Sequence, residues 1–172
     1  MTARKKRKPA SSRRPRPGAS ITVDVGGGSP GLRRLIRKAA RAALTAEGYG
    51  DGRLEVAVVD ERDMMRLHRR WLGNPAPTDV LTFDFGKKGE KAARRSVDGQ
   101  IVVCESVARR RAEPDRRDWV DEVLLYVVHG CLHLCGYNDR RPGDATRMHR
   151  REDEILLRMG RGPIFFDARV MR

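Results

Sequence analysis

The apolar positions along the chain change period several times, and each change marks an element. Ile21, Val23 and Val25 are β-branched and alternate with polar residues, which predicts a first strand over 21–25 that Gly26-Gly27-Gly28 stops. Pro30 stands where the first turn of a helix tolerates it. Leu32, Leu35, Ile36, Ala39, Ala40, Ala43 and Leu44 follow at helical spacing, and the glycine-rich stretch 48–52 ends the run. The triple glycine lacks the Lys-Ser/Thr of a phosphate loop and reads as a turn. A second strand is predicted over 54–59. Asp60 then caps a helix carrying Met64, Met65, Leu67, His68 and Trp71. Pro75 and Pro77 force 73–77 into a loop, since neither offers a backbone donor.

Strands over 80–85 and 99–104 flank a polar loop, 87–96. A short helix through Ala112 stops at Pro114, and a longer one runs from Asp118 to Gly136. A last helix, capped by Asp144, carries Met148, Glu152, Ile155, Leu156 and Met159. Strands and helices do not strictly alternate. The expected fold class is therefore α+β: a small mixed four-stranded sheet packed with helices, with residues 118–136 as the central helix.

The length of 172 residues suits one core, and 39% hydrophobic against 35% charged residues describes a soluble body. No apolar run is long enough to span a membrane, no signal sequence is recognisable, and there are only three cysteines. Together these predict a reducing, cytoplasmic setting without a disulfide framework. Charge sharpens the picture. Of the net +14, eight Lys/Arg lie in the first 20 residues, which contain no acid, leaving about +6 on the remainder. Residues 1–20 read as a disordered basic tail and 21–172 as one domain. The tail suits either a phosphate-binding arm for nucleic acid or a solubilising extension, while its prolines oppose an amphipathic transit peptide.

The chemistry concentrates in HGCLHLCGYND, residues 129–139. His129 and His133 are four apart, so both imidazoles leave one helix face and can take one Zn²⁺. Gly136 suits the helix end, and the chain can then turn to bring Asp139 to the same ion, keeping a fourth position open as a catalytic zinc requires. His149 is an alternative third ligand and Asn138 a poor one. Cys131 and Cys135 lie on another face and read as small buried hydrophobes. His68 has no partner in the pattern and reads as structural. The spacing also suggests a zinc peptidase, but such enzymes place Glu after the first His, where this chain has Gly130.

The run HGCLHLCGYND resembles the H-G-x-L-H-L-x-G-Y-D-H signature of the YbeY family of single-strand-specific endoribonucleases. Pro77-Thr78-Asp79-Val80-Leu81-Thr82-Phe83, Gly99-Gln100-Ile101-Val102-Val103-Cys104 and Met148-x₃-Glu152-x₂-Ile155-Leu156 resemble three further blocks of that family. The resemblance spans roughly residues 20 to 160. It implies an α+β fold and one zinc ion held by His129 and His133, with Asp139 where the family has a third His. It also implies hydrolysis of single-stranded ribosomal RNA and work with the small ribosomal subunit. From the expected packing of its helix, Glu152 suits either a support behind the metal or an ordinary helix-surface position, and Thr78 and Asp79 suit either the cleft or a simple capping or turn role. There are three departures. Asp139 adds a negative charge, so the ligated ion would carry about +1 rather than +2. Leu72 replaces an Arg assigned to RNA handling, with Arg69 and Arg70 as possible substitutes. Gln100 replaces an Asp. A zinc peptidase and a ribosome-associated binding module without turnover are the competing readings.

Overall fold

The computed structural model describes residues 20–74, 76–86 and 95–166. The tail, apart from Ser20, and residues 87–94 of the polar loop lie outside them. Four strands, β1 (Ile21–Gly26), β2 (Asp51–Val59), β3 (Val80–Asp84) and β4 (Ser96–Cys104), form one mixed sheet in the order β1-β2-β4-β3. The pairs β1·β2 and β2·β4 are parallel, and β3·β4 is antiparallel. Five helices complete the described residues: α1 (Pro30–Ala46), α2 (Glu61–Leu72), α3 (Glu105–Ala112), α4 (Trp119–Leu134) and α5 (Pro142–Arg158). The α+β class and the four-stranded mixed sheet expected from the sequence are what the structure has.

The two-residue period of the strands divides the core. Ile21, Val23, Leu54, Val56, Val97, Ile101 and Val103 face one side, packed with α1, α4 and α5. Leu81, Val102 and Cys104 face the other, where Met64 of α2 meets them. Helix α4 is apolar nearly all round because it lies between the sheet, α1, α3 and α5. No described helix is long and apolar enough to cross a membrane.

Several boundaries differ from the expected ones. Helix α5 starts at Pro142 with Arg141 as N-cap, and Asp144 sits within the first turn, paired with Arg147 at 2.8 Å. Proline at the first helical position needs no hydrogen-bond partner for its nitrogen, so the helix begins there rather than at the next acidic residue. Strand β4 starts at Ser96, three residues early, because its first residues pair with Asp51, Gly52 and Arg53 at the start of β2. Beyond α5 the chain is pinned by Asp153, whose wholly buried carboxylate accepts backbone N–H bonds from Ile164, Phe165 and Phe166.

Candidate metal centre and the cavity beside it

The centre is built by the end of α4. Gly136 N donates to His133 O and Tyr137 N to Leu132 O, with Gly136 at φ +94°, the reversal only glycine adopts without strain. This turn brings the Tyr137 carbonyl back to His133 and carries Asp139 over the helix end. From the other side, Tyr137 Oη donates to Glu47, which also receives Arg151, so α1 and α5 hold the turn.

Three donor atoms meet there. His129 Nε2 and His133 Nε2 are 2.9 Å apart, and Asp139 Oδ2 is 3.8 Å from each. The triangle these distances define has a point ~2.1 Å from all three corners, the length of a Zn–N or Zn–O bond. The tautomers agree with a cation at that point. A carbonyl can only accept, so His133 Nδ1 donates to Tyr137 O at 3.1 Å. His129 Nδ1 donates to the buried Glu152 carboxylate at 2.7 Å. Both Nε2 lone pairs then face each other beside a carboxylate, an arrangement that needs a shared proton or a metal ion between them. The donor set fits zinc.

The electrostatics point the same way. Burial works against protonation of His129, but the Glu152 hydrogen bond and charge, with Asp139 and Asp79, outweigh it and raise the His129 pKa above the ordinary histidine value. Burial, then the neighbouring His129, lowers that of His133. Glu152 Oε2 also accepts from His149 Nδ1 at 3.0 Å, and the His149 ring stacks on Phe165. His149 therefore stands behind Glu152 and does not join the three donors. We expect Glu152→Gln, which keeps the shape but loses the charge and one acceptor, to weaken zinc binding about 10- to 100-fold in a chelator-competition titration. Unchanged affinity would reduce Glu152 to a packing role.

The remaining residues singled out in the sequence divide clearly. Cys131 is buried and Cys135 half-buried; burial, followed by the Glu47 charge, pushes the Cys135 thiol up to about 12, so it stays protonated. His68 is buried with Nδ1 2.6 Å from Ala76 O, a brace for the loop after α2. Leu72 is 65% exposed at the end of α2, beside Arg69 and Arg70, and none of the three lines the cavity described below. Gln100 pairs in register with Glu55 and donates to it at 3.3 Å; an Asp there would set two carboxylates opposite each other. Asp79 accepts from Val80 N at 2.8 Å and from Thr78 Oγ1 at 3.3 Å.

Asp79 and His129 both line a cavity of about 320 Å³ that adjoins the metal centre. Its floor is the α4 stripe Glu122, Leu125, Tyr126 and His129. Arg111 and Arg117 stand on its wall, with His149, Ile164 and Phe165 from the end of the fold. Sequence reasoning missed this cavity. The sequence carries only a weak signal of it: Glu122 and Tyr126 precede His129 by seven and three residues, on the same helix face.

A family model described as Endoribonuclease YbeY matches residues 28–160. The chain is 39% identical over 127 residues to the endoribonuclease YbeY of Anaeromyxobacter sp. (strain Fw109-5), covering 74% of this chain and 65% of that one. It is 35% identical over 142 residues to that of Thermobifida fusca (strain YX), covering 80% and 92%. The solution structure of TM1509 from Thermotoga maritima matches with a TM-score of 0.57 at 25% identity, over 81% of this chain and 91% of that one. The extent of these matches and the motifs they contain agree, and the chain belongs to the endoribonuclease YbeY family.

Proposed function

We propose that this chain is a zinc-dependent endoribonuclease that cuts single-stranded regions of ribosomal RNA during its maturation, in the cytoplasm and in association with the small ribosomal subunit. The observation that carries the reading is the convergence of His129 Nε2, His133 Nε2 and Asp139 Oδ2 to within 4.8 Å of one another, in a chain whose relatives are named endoribonucleases. One zinc ion held by these three would supply a Lewis acid for a phosphate oxygen.

The rest is done by the chain's own groups. Glu152 and the Tyr137 carbonyl fix the two rings so that each keeps its Nε2 lone pair directed inward. Asp139, 40% exposed, lies on the open side, where a substrate enters. Arg111 on the adjoining wall attracts the phosphodiester backbone, and the net charge of +14 raises the local concentration of RNA.

The peptidase alternative loses its remaining support in this geometry. A Cβ at Gly130 would meet Ile101 Cδ1 at 2.8 Å and Thr82 Oγ1 at 2.9 Å, so a side chain there would run into the sheet.

The test pairs elemental analysis with cleavage of a single-stranded ribosomal RNA fragment and its duplex form. Near-stoichiometric zinc is expected, with cutting confined to the single strand, reduced to background by a chelator and restored by zinc. Equal cutting by metal-free protein would sink the metal dependence. Zinc-loaded protein that leaves RNA intact would instead favour a binding module.

A further inference from the structure

The metal triad accounts for His129, His133 and Asp139 but leaves the adjoining cavity without a role. We propose that this cavity is a nucleobase subsite, which takes one unpaired base of the RNA strand next to the phosphodiester presented to the metal centre. The inference rests on the endoribonuclease reading and adds to it the part of the substrate that is gripped.

Three features of the cavity select this ligand. The first is size and position. At about 320 Å³ it lies at the small end of ligand sites, and it shares His129 with the metal centre. A base seated in it would therefore lie beside the metal centre.

The second is a flat aromatic wall. His149 and Phe165 stack with ring centroids 3.8 Å apart and planes 22° apart, and Leu125 and Ile164 add apolar surface. The stack is held from behind: Glu152 fixes His149 and Asp153 fixes the backbone of Phe165. Unpaired RNA bases are bound on such aromatic and histidine faces.

The third is a set of buried polar atoms with nothing to bond. Tyr126 and Glu122 are both more than nine-tenths buried. Arg117 reaches Glu122 Oε1 at 2.7 Å as an ion pair, but without hydrogen-bond alignment. That oxygen, Arg117 Nε and Nη1, and the Tyr126 hydroxyl all lack an aligned hydrogen-bond partner among the described residues. Burial, then the Glu122 and Asp79 charges, pushes the Tyr126 hydroxyl well up, so it remains a donor. The donors of this group outnumber its one acceptor, which the Arg117 guanidinium already faces, so an acceptor supplied by a ligand would complete the set. The edge of a nucleobase offers such acceptors beside a flat apolar face. Arg111, which makes no ion pair among the described residues, is left to meet the sugar-phosphate.

The test uses the zinc-loaded full chain and two variants, Phe165→Ala and Tyr126→Phe, neither of which touches the metal donors. Equilibrium binding of the four nucleoside 5′-monophosphates is compared with that of ribose 5-phosphate. In parallel, a single-stranded RNA is cut with and without one abasic nucleotide beside a known cleavage position. Wild type should bind at least one nucleotide about tenfold more tightly than ribose 5-phosphate, and Phe165→Ala should erase that margin. Tyr126→Phe should change the ranking of the four bases, zinc content should not move, and the abasic position should be cut about tenfold more slowly. Equal binding of nucleotides and ribose 5-phosphate, or variants that bind all four bases as wild type does, would overturn the subsite. The two readings separate cleanly. Base binding without any RNA cleavage keeps the subsite and removes the nuclease. Cleavage indifferent to base and to abasic substitution keeps the nuclease and removes the subsite.

Discussion

His133→Ala should lose both zinc and RNA cleavage while the protein stays folded. His133 is one of only two imidazoles in the triad, and its ring is half-buried with its backbone in the last turn of α4, so alanine removes a ligand without opening the core. With two donors remaining, zinc affinity should fall at least about 100-fold, beyond the loss expected when only a supporting hydrogen bond is removed. Cleavage should drop to background at ordinary zinc concentrations. Elemental analysis, circular dichroism and a cleavage assay on one preparation check the three parts together. A folded, zinc-depleted variant that cuts at the wild-type rate would refute the centre. Asp139→His is the informative companion. It removes one negative charge from the donor set, so activity should persist with its pH–rate profile displaced toward lower pH. An unmoved profile would mean that the carboxylate does not reach the ion.

The second large effect is on stability. Gly130→Val should destabilise the protein by about 2–4 kcal/mol and weaken zinc binding at the same time. A Cβ at 130 lies 2.8 and 2.9 Å from Ile101 Cδ1 and Cγ1, and Ile101 is wholly buried with no room to retreat. Helix α4 must then lift off the sheet. His129 and His133 ride on the same turns, so their distance from Asp139 changes with it. Urea denaturation gives the first effect and chelator competition the second. Gly143→Ala is the matched control: nothing lies within 4 Å of the added methyl, and the position is in the first turn of α5. It should be neutral or stabilise by up to about 1 kcal/mol.

Much of this fold was legible because period and punctuation agreed. Alternation gave β1, Pro30 and the 48–52 glycines bounded α1, and Asp60 caps α2 as expected, with its side chain accepting from Asp63 N. The spacing of His129, His133 and Asp139 was readable because a helix and one glycine turn fix it locally. What was not legible depends on residues far apart in the chain. Tyr137, Arg151 and Glu47 meet across 90 and 104 residues, and no local pattern announces a carboxylate at the end of α1 as a clamp for the metal turn. Asp153 reads as an ordinary polar helix residue until the chain beyond α5 folds back onto it. Glu122 and Tyr126 were hidden for a different reason. They interrupt an apolar run on a helix buried nearly all round, where the 3.6-residue contrast that marks a polar face is weak.

Glu152 gives one oxygen to His129, on the metal side, and the other to His149, on the cavity side. A carboxylate serving two imidazoles cannot be tuned for either alone. His149 and Glu152 ride together on α5, so a shift of that helix changes the bond to His129 on α4 while the bond to His149 travels with it. A substitution at Glu152 itself therefore reaches both rings. Attempts to redesign the wall for a different ligand should begin with the length and charge at position 152.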